Sequence, residues 1–246
     1  MAELTKEQMV FVSTYLSGAP ARATESTAPG IASGDDDSPS SDRGTTLSKM
    51  ETEELERGSK VEAVALIEVA RKAEGKTTDA LSDLASQTGG EMVGLDYRLK
   101  SEESLTRKIF DIADQTGAPP EEVAKDMKDV LRYTTVFEPK DYVKGVQDTC
   151  RQLLASGHAK KKFKNTWGNK TGYLGINAVF VTPEGAMFEL QFHTPDSFHA
   201  KDAGTHALYE EQRRLKPGTD RYIELEMLQQ EVFNGVERPE GADKLK

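Results

Sequence analysis

The chain has 246 residues, of which 36% are hydrophobic and 30% charged, and its formal net charge is -10. That length holds one ordinary domain with extra segments or two small ones, and that hydrophobic fraction builds a core from part of the chain only. The acidic balance argues against sequence-independent coating of nucleic acid, which depends on Lys and Arg neutralising phosphates, but it leaves room for a local basic nucleotide pocket. Cys150 is the one cysteine, so no internal disulfide forms, and in its helical apolar pattern it reads as a small buried hydrophobe. The first residues lack the basic-then-apolar order of a Sec-type signal peptide, and no apolar run approaches membrane-spanning length. The expectation is a cytoplasmic protein without membrane contact, or one exported as an effector by a route that does not read such a signal.

Residues 1–17 predict a short helix, with Thr5 and Gln8 as a capping box and Met9, Phe11, Val12, Tyr15 and Leu16 as its apolar positions. Residues 18–50 are rich in Ser, Thr, Gly, Pro and Asp and predict a disordered linker, because almost nothing there repays the entropy of ordering. Residues 51–90 return to helical spacing. The pattern predicts one helix through Val61, Val64 and Ala70 that stops near Gly75, then a second capped by Thr78 and ended by Gly89-Gly90.

From residue 91 to 216 helical and extended patterns alternate. A helix starts at Ser101-Glu102-Glu103 and runs through Leu105 and Ile109 to Gly117, and Pro119-Pro120 open another. Val130–Phe137 reads as a strand, Asp141–Ser156 as an amphipathic helix and Lys160–Trp167 as a basic strand. Pro183-Glu184-Gly185 joins two runs, 176–182 and 186–194, into a hairpin. A helix over 197–214 follows, and 217–246 reads as a C-terminal helix and tail.

Side chains alternate between the faces of a strand. In the second hairpin strand Phe188, Leu190 and Phe192 therefore share a core face, while Glu189, Gln191 and His193 share the other, which lines a cleft or lies wet on the surface. Arg98 and Lys100 precede a helix start that carries Ser104 and Lys108. Free N–H groups and the dipole end add to those cations, and together they suit a polyphosphate. Asp129, entering a strand, is placed to hold a hard cation. Lys160–Lys164, Trp167, Lys170 and Tyr173 interleave lysines with aromatics, a pattern that binds phosphate and stacks a base. Each piece alone also fits a solvated surface.

Taken in order, the pieces are more specific. The run R-x-K-x-x-x-S-x-x-x-K (Arg98, Lys100, Ser104, Lys108), then Asp129, the Lys160–Lys164 segment, K-x-G-Y (Lys170, Gly172, Tyr173), E-L-Q-x-x-T (Glu189, Gln191, Thr194) and H-x-x-Y (His206, Tyr209) resembles the synthetase domain of the RelA/SpoT family over about half the chain. The resemblance implies an α+β fold, a mixed β-sheet flanked by helices related to nucleotidyltransferases, with a helical and partly disordered N-terminal region. It implies an ATP-dependent pyrophosphokinase acting on a nucleotide 3′-hydroxyl, with GDP/GTP or ADP/ATP as acceptor. By position, Arg98, Lys100, Ser104 and Lys108 would bind ATP. Asp129 and Glu189 would be the catalytic carboxylates and hold Mg²⁺, and Lys164, Lys170, Tyr173, Gln191 and His193 would meet the acceptor.

Three positions depart from the family pattern. Arg132 lies three residues after Asp129 where the family's arginine lies five after, Thr134 filling that place; His193 stands where Arg is usual, and Asn177 where His is frequent. The departures leave the acceptor open, including the 3′ end of tRNA, and leave three rival readings: a non-catalytic nucleotide-binding module, an ADP-ribosyltransferase using Glu189, and an interaction protein working through its Ser/Asp linker. No His-Asp pair of a hydrolase type is recognisable, which motivates the expectation of a growth-inhibiting toxin or effector with an immunity or antitoxin protein as partner.

Overall fold

In the computed structural model, residues 48–169, 172–212 and 214–246 are described. The predicted 1–17 helix and nearly all of the predicted linker lie outside them.

Helix α1 spans Lys49–Thr88 without interruption, so the expected break at Gly75 does not occur. Ser48 caps it in a capping box with Glu51, and Gly89, at φ 78°, ends it. A glycine inside a helix costs about 1 kcal/mol against alanine, too little to stop a helix whose packed face continues on both sides. Here Ala63, Ile67 and Ala70 before Gly75 and Leu81 and Leu84 after it enter one core. Thr78, expected as a cap, instead donates back to the carbonyl of Glu74 at 2.7 Å. The helix also reaches into the last two residues of the predicted linker, Lys49 and Met50.

Strand β1 (Glu91–Val93) follows, too short to stand out in the sequence. Helix α2 is Glu102–Thr116, capped by Ser101, and α3 is Pro120–Lys125. Strand β2 is Arg132–Val136, α4 is Tyr142–Ala155, β3 is Ala159–Asn165, and β4 (Ile176–Val181) and β5 (Met187–His193) form the predicted hairpin. The predicted 197–214 helix is a composite. It comprises α5 (Pro195–His199), one π-helical stretch (Ala200–Thr205) and α6 (His206–Gln212). Helix α7 (Asp220–Asn234) and a short 3₁₀ turn at Ala242–Lys244 close the chain.

The strands form one sheet in the order β1-β2-β5-β4-β3. Only the β2–β5 pair is parallel, the others being antiparallel, so the sheet is mixed. The α+β class and the mixed sheet flanked by helices are as expected. Phe188, Leu190 and Phe192 join Tyr133, Phe180, Leu105, Ile109 and Val146 in the core. Tyr133 crosses that interface to donate to the Glu74 carbonyl of α1 at 3.1 Å. Trp167, expected to interleave with lysines at a ligand surface, is 1% exposed in the core. Its indole N–H donates to the Tyr142 hydroxyl at 2.7 Å, which donates on to the Phe192 carbonyl at 2.9 Å. An indole packed this way has no face left for a base.

Candidate active site

Register assembles the polar face. Arg132 on β2 pairs with Glu189 on β5, which pairs with Val179 on β4, which pairs with Lys162 on β3. On the next rung Thr134, Gln191, Asn177 and Lys164 align across the same four strands. Cross-strand partners share a face, so Lys164 and Gln191, separately predicted to meet the acceptor, do lie on one rung.

This face was read as a cleft lining or a wet surface, and it is not wet. Glu189 is 3% exposed, and Gln191 and His193 are fully buried. Helix α5, the π-helical stretch and, through Phe233 on Tyr173, α7 supply cover that strand alternation cannot reveal. Lys201 enters from the π-helical stretch and donates from Nζ to Gln191 Oε1 at 2.6 Å. Gln191 in turn donates its amide to Glu189 Oε1. Lys201 went unnoticed in the sequence because a lysine on a helix ordinarily reads as solvated surface.

At the other end of the row, Asp129 sits just before β2 and is 3% exposed. Lys100 donates to its Oδ2 at 3.0 Å, and Lys108, from α2, reaches both carboxylate oxygens at 3.1 Å. Burial pushes the Asp129 carboxyl up, but Lys100, Lys108 and Arg132 together outweigh it and hold it well below the usual carboxylate range. Burial likewise pulls Lys100 down, and Asp129 opposes that. Arg132 lies between the two carboxylates, 7% exposed, and its Nη1 is buried without a hydrogen-bond partner. The row therefore sets two carboxylates among four basic side chains (Lys100, Lys108, Arg132, Lys201), surroundings that suit an anion.

The remaining predicted residues divide. Arg98 does not join the row; it bonds the Leu95 carbonyl and pairs with Glu74 of α1 at 2.6 Å. Ser104 stands half-buried in the first turn of α2, its backbone N–H taken by the Ser101 cap at 3.2 Å. Tyr173 donates to Asn177 at 2.7 Å and meets His193 Nε2 at 2.8 Å, while its ring lies edge-on to His193 and to Phe233 of α7. The ring expected to stack a base is thus packed against protein. Burial, and then Lys201, hold His193 well below its ordinary value, so its imidazole is neutral. Its Nδ1 pairs with Ser197, and a Cβ on Gly175 would fall 2.7 Å from its ring, so this position is closed to larger residues. Lys170 lies outside the described residues. His206 and Tyr209 fall on α6.

Among the described residues no group of three or more His, Cys, Asp or Glu is arranged to hold a metal ion. Mg²⁺ needs less than that, because it is commonly held by one or two carboxylates together with substrate phosphates and water. Asp129 and Glu189 are donors of that kind, with Lys100 and Lys108 already on the Asp129 oxygens.

Fold and face together define an α+β domain whose sheet carries a buried, cation-rich polar row. No protein-family model and no curated protein matches the chain. Among solved structures it is similar to the Type VI effector Tas1, solved in complex with its immunity protein, at 21% identity over 69% of this chain and 93% of that one, with a TM-score of 0.49. It is similar to the small alarmone synthetase 1 of Bacillus subtilis bound to its product pppGpp, at 14% identity over 67% and 88%, TM-score 0.47. It is also similar to a GTP pyrophosphokinase family protein from Streptococcus pneumoniae, at 14% identity over 68% and 86%, TM-score 0.48.

Proposed function

We propose that this chain is an ATP-dependent pyrophosphokinase. In that reaction the 3′-hydroxyl oxygen of an acceptor nucleotide attacks the β-phosphorus of ATP, the bond from that phosphorus to the α-phosphate bridge breaks, AMP leaves, and the hydroxyl proton passes to Glu189. The observation that carries the reading is the buried row itself, with Lys100 and Lys108 clasping Asp129 and Arg132 facing Glu189. Phosphoryl-type transfer asks little covalent work of a protein and much positioning and charge cancellation. Lys100 and Lys108 take the donor phosphates. Arg132, with its unpartnered Nη1, neutralises charge between donor and acceptor. Glu189, buried beside the Gln191 amide, accepts the proton. Asp129 and Glu189 would hold Mg²⁺, which would supply further neutralisation of phosphate charge.

The acceptor is a guanosine or adenosine nucleotide, and the biological role is that of a growth-inhibiting toxin or effector restrained by an immunity or antitoxin protein. The test is thin-layer chromatography of γ-³²P-ATP incubated with the protein, Mg²⁺ and, separately, GDP, GTP, ADP, ATP and deacylated tRNA. Label transferred to one nucleotide with matching release of AMP supports the reading and names the acceptor. Label on tRNA moves the substrate to RNA. ATP binding with no product favours a non-catalytic module, and consumption of NAD instead of ATP favours an ADP-ribosyltransferase. Unimpaired growth of bacteria expressing the intact chain would remove the toxin role.

A further inference from the structure

We infer that Lys201 is a positioning residue that fixes the orientation of the Glu189 carboxylate through the side-chain amide of Gln191. The inference rests on the pyrophosphokinase reading for its kinetic arm only.

The polarity of the contact chain is determined by chemistry. A lysine ammonium only donates and an ionised carboxylate only accepts, whereas a glutamine amide does one at each end. Lys201 Nζ lies 2.6 Å from Gln191 Oε1, so the amide NH₂ must face Glu189, as it does. Thr134 is the other donor towards Gln191 Oε1, and at 3.5 Å it is too distant to hold the amide alone. Without Lys201 the amide oxygen loses its nearer donor, and an amide turned with its oxygen onto Glu189 would set two acceptors against each other.

The backbone supports the same assignment. Thr194 and Ser197 fix the start of α5 through reciprocal cap bonds at 3.2 and 2.9 Å. The chain then runs through six π-helical residues, Ala200–Thr205. Such stretches are rare and gather at functional sites, and this one delivers a lysine to the interior of the polar face. Phe198 lies 5.6 Å from its ammonium and closes it from above. Lys201 faces Arg132 of β2 and Glu189 of β5, with Asp202 on its own element. Stability alone is better served by an apolar side chain of the same length at such a position.

The experiment uses the full chain as Lys201→Met, Gln191→Leu and the double variant. In Lys201→Met, kcat should fall on the order of 100-fold, as expected when a reacting group is misplaced rather than removed, while the KM for ATP stays within about threefold. The double variant should be no slower than the single ones, because two members of one relay are not additive. The second readout needs no turnover. The Gln191 side-chain NH₂ resonances, assigned by their absence in Gln191→Leu, should be resolved and slow to exchange in the parent and lose both properties in Lys201→Met. A Lys201→Met protein with parent kcat, or one whose Gln191 amide signals are unchanged, overturns the inference. Should the parent turn over no acceptor, the functional reading fails while the amide signals alone still decide the role of Lys201.

Discussion

Burial pulls the Lys201 ammonium from 10.5 down to about 7, with Arg132 repelling it further and Asp202 and Glu189 opposing the fall. The unfolded chain therefore binds more protons than the native one between those two values, and the stability contributed by this residue must rise as pH rises through that window. At 1.36 kcal/mol per pH unit, the whole gap amounts to about 5 kcal/mol, of which about 3 kcal/mol falls between about pH 6 and pH 9.5. Other groups titrate nearby. Cys150, pushed by burial to about 11, is one, and it opposes the trend. Those groups are common to the parent and to Lys201→Met and cancel in the difference. The assay is urea denaturation of both proteins across that range, followed by fluorescence of Trp167, the one tryptophan, which is 1% exposed and loses its packing on unfolding. The stability of the parent minus that of the variant should climb by about 3 kcal/mol over the series. Two parallel curves would mean that Lys201 keeps an ordinary ammonium, and the enclosure described for it would be wrong.

Three further substitutions probe the rest of the row and its support. Asp129→Asn strands Lys100 and Lys108 without a counter-charge and should cost about 3–5 kcal/mol near neutral pH. Because the Asp129 carboxyl is held below its ordinary value, that stabilisation is present above the ordinary carboxylate range and lost as pH falls, so the penalty should shrink in acid; denaturation at two pH values checks both claims. Glu189→Gln should lower product formation by about 10²–10⁴-fold with ATP affinity retained; a lost affinity with unchanged turnover would reassign Glu189 from the acceptor to the donor. Gly145→Ala places a Cβ 2.3 Å from Cε1 of the buried Phe137 ring, and should destabilise by about 1–3 kcal/mol through overpacking, a loss visible as a lower midpoint in urea.

The hairpin, the phase of Glu189 and Gln191 and the position of Asp129 were legible because each depends on local rules: strand alternation, turn chemistry and motif spacing. What the sequence hid depends on contacts distant in the chain. Glu189 and His193 read as lining or surface residues because alternation says which side chains share a face but not whether a helix covers it. Lys201 read as solvent-facing because its burial arises from the π-helical stretch, which no propensity announces. That stretch also adds to the turn ahead of His206 and so bears on the register of the H-x-x-Y pair. Gly75 carried a true local cost, and α1 continued through it because Leu81 and Leu84 extend the buried stripe. Arg98 looked equivalent to Lys100 by spacing, yet Glu74, on a helix whose docking the sequence does not encode locally, draws it out of the row.

Tyr173 poses the sharpest demand on the proposed reaction. Its ring lies 6.1 Å from Phe233 at 71° and 5.3 Å from His193 at 85°, so α7 and β5 hold the aromatic that the sequence offers to an acceptor base. The chain that follows α7 is tied down independently. Arg238 donates to the Asn169 carbonyl at 2.7 Å, and Asn165 donates to Ala242 and Leu245 carbonyls at 2.7 and 3.0 Å. If a base stacks on Tyr173, it competes with Phe233 for the ring, and each binding event must first displace α7. Phe233→Ala removes the competitor at a cost of about 3–5 kcal/mol in stability. It should lower the acceptor KM while leaving the KM for ATP unchanged, because a binding-competent state that is rarely populated reduces apparent affinity in proportion. Tyr173→Phe on the same background separates the ring from its hydroxyl, which Asn177 and His193 hold at 2.7 and 2.8 Å. An acceptor KM that rises in Phe233→Ala would show that α7 completes the acceptor pocket, and Tyr173 would then belong to the wall of the site and not to its stacking face.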